Sequence, residues 1–330
     1  MPGTVAKTVG AFIILCGFCF AGAPLQESRP QGIVPGDLSP DTIQALPIDP
    51  SVRAHLQEAI RSRDYKLAEM LLATEVGRDP KNPALLTLLG RILFFNAKYL
   101  ECAIAIKKAE ALAPVDERSR FTLALSYIML GRDAWARPEF EDLARSDPRD
   151  PLYPYWLGRI AYKAQDFKGA VVNFKQALSL DPNFVRAYDN LGLSYDALGQ
   201  LDEAIDTYGK ATSLNRRQKI PSPWPPLNLG SLLVRIGKLE EAQPLLQESL
   251  KYDPRFPKAH CALGLLWEKE KKNDDAIREL DEAVKFDPSY AEPHYILGRI
   301  YQRMGNVEGA NNEWRIFQSL KKGESKDHPQ

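Results

Sequence analysis

The feature that most constrains this chain is a recurrence every 34 residues. It is clearest from Val185 to Leu214, VRAYDNLGLSYDALGQLDEAIDTYGKATSL, which reads as two amphipathic helices joined by a short turn at Gly199. A unit of this length cannot bury its apolar face alone, so stacked neighbours must supply a continuous core. A leucine recurs at Leu89, Leu123, Leu157, Leu191, Leu229, Leu263 and Leu297. The small residue after it is Gly90, Ala124, Gly158, Gly192, Gly230, Gly264 or Gly298. Twelve residues on comes Cys102, Ala136, Ala170, Ala204, Ala242, Ala276 or Ala310, and four further on Ile106, Phe140, Phe174, Tyr208, Leu246, Leu280 or Trp314.

The chemistry of that spacing is direct. Small residues on facing helices let two backbones approach, and the large residue fills the space beside them. Proline stops the second helix, because it lacks an N–H and clashes with the preceding turn; Pro114, Pro148, Pro182, Pro254 and Pro288 stand there. Projected backwards from Pro80, the pattern gives a degenerate first unit with Ala68 and Leu72 in place and Leu56 in the small position. Eight units follow: 49–82, 83–116, 117–150, 151–184, 185–222, 223–256, 257–290 and 291–324. The Leu-Gly, aromatic, Ala, aromatic, Ala, Pro order resembles the tetratricopeptide repeat family. The expected fold is therefore all-α, an α-α superhelix of about eight helix-turn-helix units.

Outside the array, residues 1–23 read as a secretory signal peptide: Lys7, an apolar run from Ala11 to Phe20, and the small residues Ala21-Gly22-Ala23. The run is short for a membrane span. Export to the periplasm or out of the cell is expected, with a membrane tether only if the segment is uncleaved. Residues 24–48 hold Pro24, Pro30, Pro35, Pro40 and Pro47 and read as an extended linker. Residues 325–330 form a polar tail. Between Leu214 and Leu227 four residues are added, and Pro221, Pro223, Pro225 and Pro226 exclude helix there. Trp224 among them is a possible anchor at the groove edge, or a packed loop residue. In the last unit Asn311 and Gln318 replace apolar second-helix positions, as the water-facing end of a solenoid requires.

The resemblance implies that first helices line a concave groove, with ligand-facing residues at positions 2, 5, 9, 12 and 13 of each unit. Carried over, these are Arg91, Phe94 and Phe95, then Phe121, Leu125, Ile128 and Met129, then Tyr155, Arg159, Tyr162 and Lys163. Arg235, Lys269, Arg299 and Arg303 follow toward the C-terminal end. Some of the apolar ones are expected to pack between neighbouring first helices instead. Asn at position 9, which the family's clamp for a C-terminal carboxylate needs, occurs in no unit, so that ligand is not expected.

Other functions find little footing. The 43 basic and 43 acidic residues balance, so the basic excess of a nucleic-acid binder is missing. Cys102 and Cys261 lie five units apart and cannot pair in an extended stack, and Cys102 reads as a small core residue. His260 and His294 share one position in adjacent units, near Cys261, but lack the ligand spacing of a metal site. No nucleophile–base pair or phosphate loop appears, so neither catalysis nor a small-molecule substrate, metal or cofactor is expected. The sequence favours a protein- or peptide-binding scaffold. A self-assembling structural subunit, or a membrane-tethered accessory of an enzyme complex, stands as the alternative.

Overall fold

A computed structural model describes residues 43–327, with side chains to residue 322. The signal-peptide reading, and the linker up to residue 42, lie outside the described residues. Sixteen helices occupy the described residues and pair into eight hairpins. They are α1 (Pro50–Arg61) with α2 (Tyr65–Arg78), α3 (Pro83–Phe95) with α4 (Tyr99–Glu110), and α5 (Glu117–Met129) with α6 (Asp133–Ser146). Next come α7 (Leu152–Lys163) with α8 (Phe167–Leu180), and α9 (Val185–Ala197) with α10 (Leu201–Asn215). The last are α11 (Trp224–Ile236) with α12 (Leu239–Tyr252), α13 (Pro257–Lys269) with α14 (Asn273–Phe286), and α15 (Ala291–Arg303) with α16 (Val307–Asp327).

Local chemistry sets the helix ends. Asp49, Asn82 and Asp116 cap first helices by accepting backbone N–H groups of Ser51, Ala84 and Ser119. Second helices stop at an extended aspartate, Asp147, Asp181, Asp253 or Asp287, because the proline after it disfavours helical backbone. Within each hairpin the turn passes through one left-handed residue at the same repeat position. Gly131, Gly199, Gly237 and Gly305 fill four of these, and Arg63, Ala97, Gln165 and Lys271 fill the others with φ near +60°.

The close approach expected at the Leu-Gly pair is present. A methyl group built on Gly192 would lie 2.6 Å from the ring of Tyr208, and one on Gly158 would lie 2.7 Å from Phe174. Ala170, Phe174, Ala204, Tyr208 and their equivalents form a nearly continuous buried core. First helices approach the next first helix between α3 and α5 and along α7, α9, α11, α13 and α15, whereas the backbones of successive second helices stay farther apart and meet only through side chains such as Lys107 and Glu139. That asymmetry curves the stack, with first helices on the inner wall and second helices outside.

Three boundaries differ from the sequence reading. Residues 43–48 are not free linker: Ile43, Leu46 and Ile48 are buried against the first hairpin, and Arg53 donates to the carbonyls of Leu46 and Ile48 at 2.8 and 3.2 Å. The last helix runs on to Asp327, into the expected tail. Trp224, Pro225 and Pro226 open α11 rather than excluding helix, because the first turn of a helix has no internal partner for the N–H that proline lacks. Asn311 and Gln318 are exposed in the terminal hairpin, as a capping unit requires.

Candidate functional site

The inner wall is the candidate site, and its geometry revises which residues can meet a ligand. Arg91, Phe94, Phe121, Leu125, Tyr155 and Arg159 are buried. Phe94 packs edge-on to Tyr99, and Phe121 sits between Phe140 and Tyr153 at 5.9 and 6.0 Å. Tyr155 lies 4.8 Å from Phe184, and the Arg159 guanidinium stacks 4.5 Å over Trp156. These six serve the stack rather than its surface, because packing within and between neighbouring hairpins closes over them, at positions 5 and 9 and, for Phe94, position 12. Phe95 is half-buried and stacks on Tyr65 at 4.5 Å; Ile128 and Tyr162 are half-buried, while Met129 and Lys163 are exposed. Trp224 is half-buried, edge-on to Phe256 at 5.0 Å with the Lys258 ammonium over its face, which favours the packing role over an exposed anchor.

What stays accessible is a row of charges where the first helices of units four to eight end. Lys163 pairs with Asp133 at 2.6 Å, and Arg235 of α11 reaches across to Asp196 of α9. Arg299 and Arg303 of α15 converge on Glu268 of α13, with Arg299 Nε at 2.9 Å and Arg303 Nη1 at 3.0 Å. Lys269 is exposed and reaches the carbonyl of Arg235 at 3.5 Å. The contacts of Arg235, Lys269, Arg299 and Arg303 tie one first helix to the next, and that of Lys163 ties α7 to the second helix α6, so the row is both part of the joint and part of the wall. Lys163, Arg235, Lys269, Arg299 and Arg303 outnumber their carboxylates Asp133, Asp196 and Glu268, a surplus of positive charge.

Sequence reasoning gave no special weight to the buried pair in this wall. Asp189 is buried, accepts a hydrogen bond from Asn228 at 2.9 Å, and has its carboxyl pushed up to about 7 by burial. The signal was visible in outline: an acid at position 5, where other units hold Phe121, Tyr155, Leu227 or Cys261. The two histidines make separate contacts. His260 Nδ1 meets Glu279 at 2.8 Å and His294 Nδ1 meets Glu313 at 2.7 Å, each ring held by the second helix of its own hairpin. Cys102 is buried with its thiol pushed up to about 12 by burial, and Ser126 Oγ lies 3.0 Å from its sulfur.

Comparison with known proteins follows the same lines. A family model described as tetratricopeptide repeat matches residues 121–171 and 227–291; a second, described as TPR repeat, matches 158–199, and a third, again tetratricopeptide repeat, 185–218. The TPR repeat-containing protein YpiA of Bacillus subtilis is 29% identical over 195 residues, 57% of this chain and 44% of that protein. The peroxisomal targeting signal receptor of Kluyveromyces lactis is 26% identical over 187 residues, 45% of this chain and 33% of the receptor. The chain thus spans less than half the length of these curated relatives. Among solved structures, a tetratricopeptide repeat protein from Parabacteroides merdae aligns with a TM-score of 0.61 at 17% identity, covering 84% of this chain and 99% of that one. The type IV pilus biogenesis factor PilW aligns at 0.56 and 22% identity, covering 62% and 92%. At these identities the likeness is one of fold.

Proposed function

We propose a function from this premise: the chain belongs to the tetratricopeptide repeat family. It is a non-catalytic scaffold that holds a protein or peptide along its inner wall, exported to the cell envelope or beyond. One observation carries the ligand chemistry, the surplus of accessible cations at the first-helix ends of units four to eight. An acidic peptide segment suits that wall, since charge of one sign in a concave surface steers and holds the opposite sign. The name of one relative, a targeting signal receptor, supports a peptide as the ligand class. Burial of Phe94 and Phe121 moves the contact zone away from units two and three toward the basic end.

The test is selection from a randomised dodecamer peptide library on the immobilised full chain. The enriched peptides should be rich in Asp and Glu and lose binding to Lys269→Glu/Arg303→Glu. Enrichment without acidic bias, or equal binding by the variant, refutes the assignment. Export is tested by the mass of the native protein. A mature chain beginning at Pro24 supports it, and a chain retaining residues 1–23 supports the membrane-tethered alternative instead.

A further inference from the structure

The outer surface has an opening of its own. Between α10 and α12 lies a cleft of about 570 Å³, inside the size range of ligand sites. Leu229 and Leu233 of α11 form its floor, and Ile205 of α10 and Leu245 of α12 form its walls.

Gly209 lines the cleft without a side chain of its own. A methyl group placed on it would meet no atom within 4 Å, so nothing in the packing requires a glycine there. The other seven units hold Ala73, Lys107, Glu141, Lys175, Gln247, Asp281 and Arg315 at this position, each exposed on the outer surface, whereas Gly209 lines the cleft and adds no side chain to it. A helix-interior glycine weakens its helix, which makes its presence at this joint alone informative. The walls are also held in place. The Arg216 guanidinium spans from the end of α10 to Glu248 of α12 with two bonds of 2.8 and 2.6 Å, and Tyr252 donates to the same carboxylate at 2.6 Å. The inserted loop is pinned by Asn215, which bonds the N–H and carbonyl of Ser222 at 2.9 and 2.8 Å.

Charge then selects the occupant. Asp206, Glu241 and Glu248 border the cleft against the single guanidinium of Arg216, and Lys238 stands 3.6 Å from Glu241 at its margin. We infer that the cleft between α10 and α12 is a second docking site, for a cationic amphipathic helix laid between the two second helices. Its apolar ridge fills the space above Gly209, and its flanking lysines or arginines meet Asp206 and Glu241. This is helix-in-groove recognition, with anchors spaced three and four residues apart. It is independent of the acidic ligand assigned to the inner wall.

The test uses a fluorescein-labelled peptide, LKKLLKLLKKLLKL, and fluorescence anisotropy on the full chain. Gly209→Gln fills the cleft while strengthening the helix, so its fold is retained and checked by far-UV CD. Binding should weaken by roughly tenfold or more in Gly209→Gln, and by a similar factor in Asp206→Asn/Glu241→Gln, with the latter losing the salt dependence of the wild type. Arg299→Ala/Arg303→Ala should bind as the wild type does. No binding by the wild type, equal affinity of Gly209→Gln, or loss of binding in the inner-wall variant overturns the inference.

Discussion

Glu268 is the most consequential charge in the inner wall, and its role can be tested at the level of one joint. Its side chain is 3% exposed, yet its carboxylate is shared by Arg299 and Arg303 of the next unit, whose side chains are 33% and 48% exposed. Arg299→Met keeps most of the aliphatic stem and removes one partner. Breaking a fully buried pair by deleting one member costs about 3–5 kcal/mol. Here Arg303 stays at 3.0 Å and water reaches the guanidinium side, so the cost reduces to about 1–2 kcal/mol. Because stability in a repeat array is a sum of units and joints, the loss should fall on the last hairpin rather than the whole chain. Hydrogen exchange read by mass spectrometry on α15 and α16 peptides is the appropriate assay, since it reports local opening. Protection there should drop roughly five- to thirtyfold, with α3 to α8 unchanged. In Glu268→Gln/Arg299→Met the buried charge is gone, and most of the protection should return. If the single variant leaves α15 and α16 as protected as before, or the double variant loses the sum of both changes, the shared carboxylate does not hold the joint.

Other perturbations follow from packing, backbone and charge. Gly192→Val drives a branched side chain into the buried ring of Tyr208 and should cost about 1–3 kcal/mol; an unchanged thermal midpoint by CD would contradict it. Ala97→Gly relieves a left-handed turn at φ +59° and should stabilise by about 0.5–1 kcal/mol, so a lowered midpoint would contradict that reading. Burial raises the Asp189 carboxyl to about 7, so the native state keeps a proton that the unfolded chain releases near the ordinary aspartate value of 3.8. Stability should therefore be full below that value and decline as pH rises to about 7, and Asp189→Asn should flatten the decline in urea titrations across this range. Burial lowers the His260 imidazole, but its bonds to Glu279 and the Pro254 carbonyl and the charges of Glu279 and Glu282 outweigh it and raise it above 6.5. Its contribution is present below 6.5 and lost as pH rises through the elevated value, so His260→Gln should remove that loss.

The array was legible because its constraint is steric and local. Gly158 must face Phe174, and Gly192 must face Tyr208, so the spacing survives whatever the surface does. The turns were only half legible: Gly199 announces itself, but Ala97, Gln165 and Lys271 adopt the same backbone through the hairpin's closure rather than by preference. The inner wall was least legible. Periodicity places Phe121 and Tyr155 on the stripe, yet only the tilt between neighbouring first helices decides whether that stripe is open, and here Tyr153 and Phe184 cover it. Residues 43–48 were misread because Pro47 marks a linker in composition, while Ile43, Leu46 and Ile48 seal an end that would otherwise expose the first hairpin.

The curvature that hides the aromatic stripe also explains why charge differs between the two faces. Where first helices crowd together, side chains at their ends are brought close enough for Asp196 to meet Arg235 and Glu268 to meet Arg299 across the joint. The excess of cations over carboxylates in that row gives the inner wall its sign. Where second helices diverge, fewer such pairs span the joints, and at α10 and α12 a cleft lined by Gly209 and bordered by carboxylates lies open. A single ligand cannot satisfy both faces, since what the wall attracts the cleft repels. The two sites should therefore saturate independently, each weakened by added salt because both rely on surface charge. An acidic peptide selected on the inner wall should leave the affinity of the cationic helix for the cleft unchanged. Competition between them would mean that the charges had been assigned to the wrong faces.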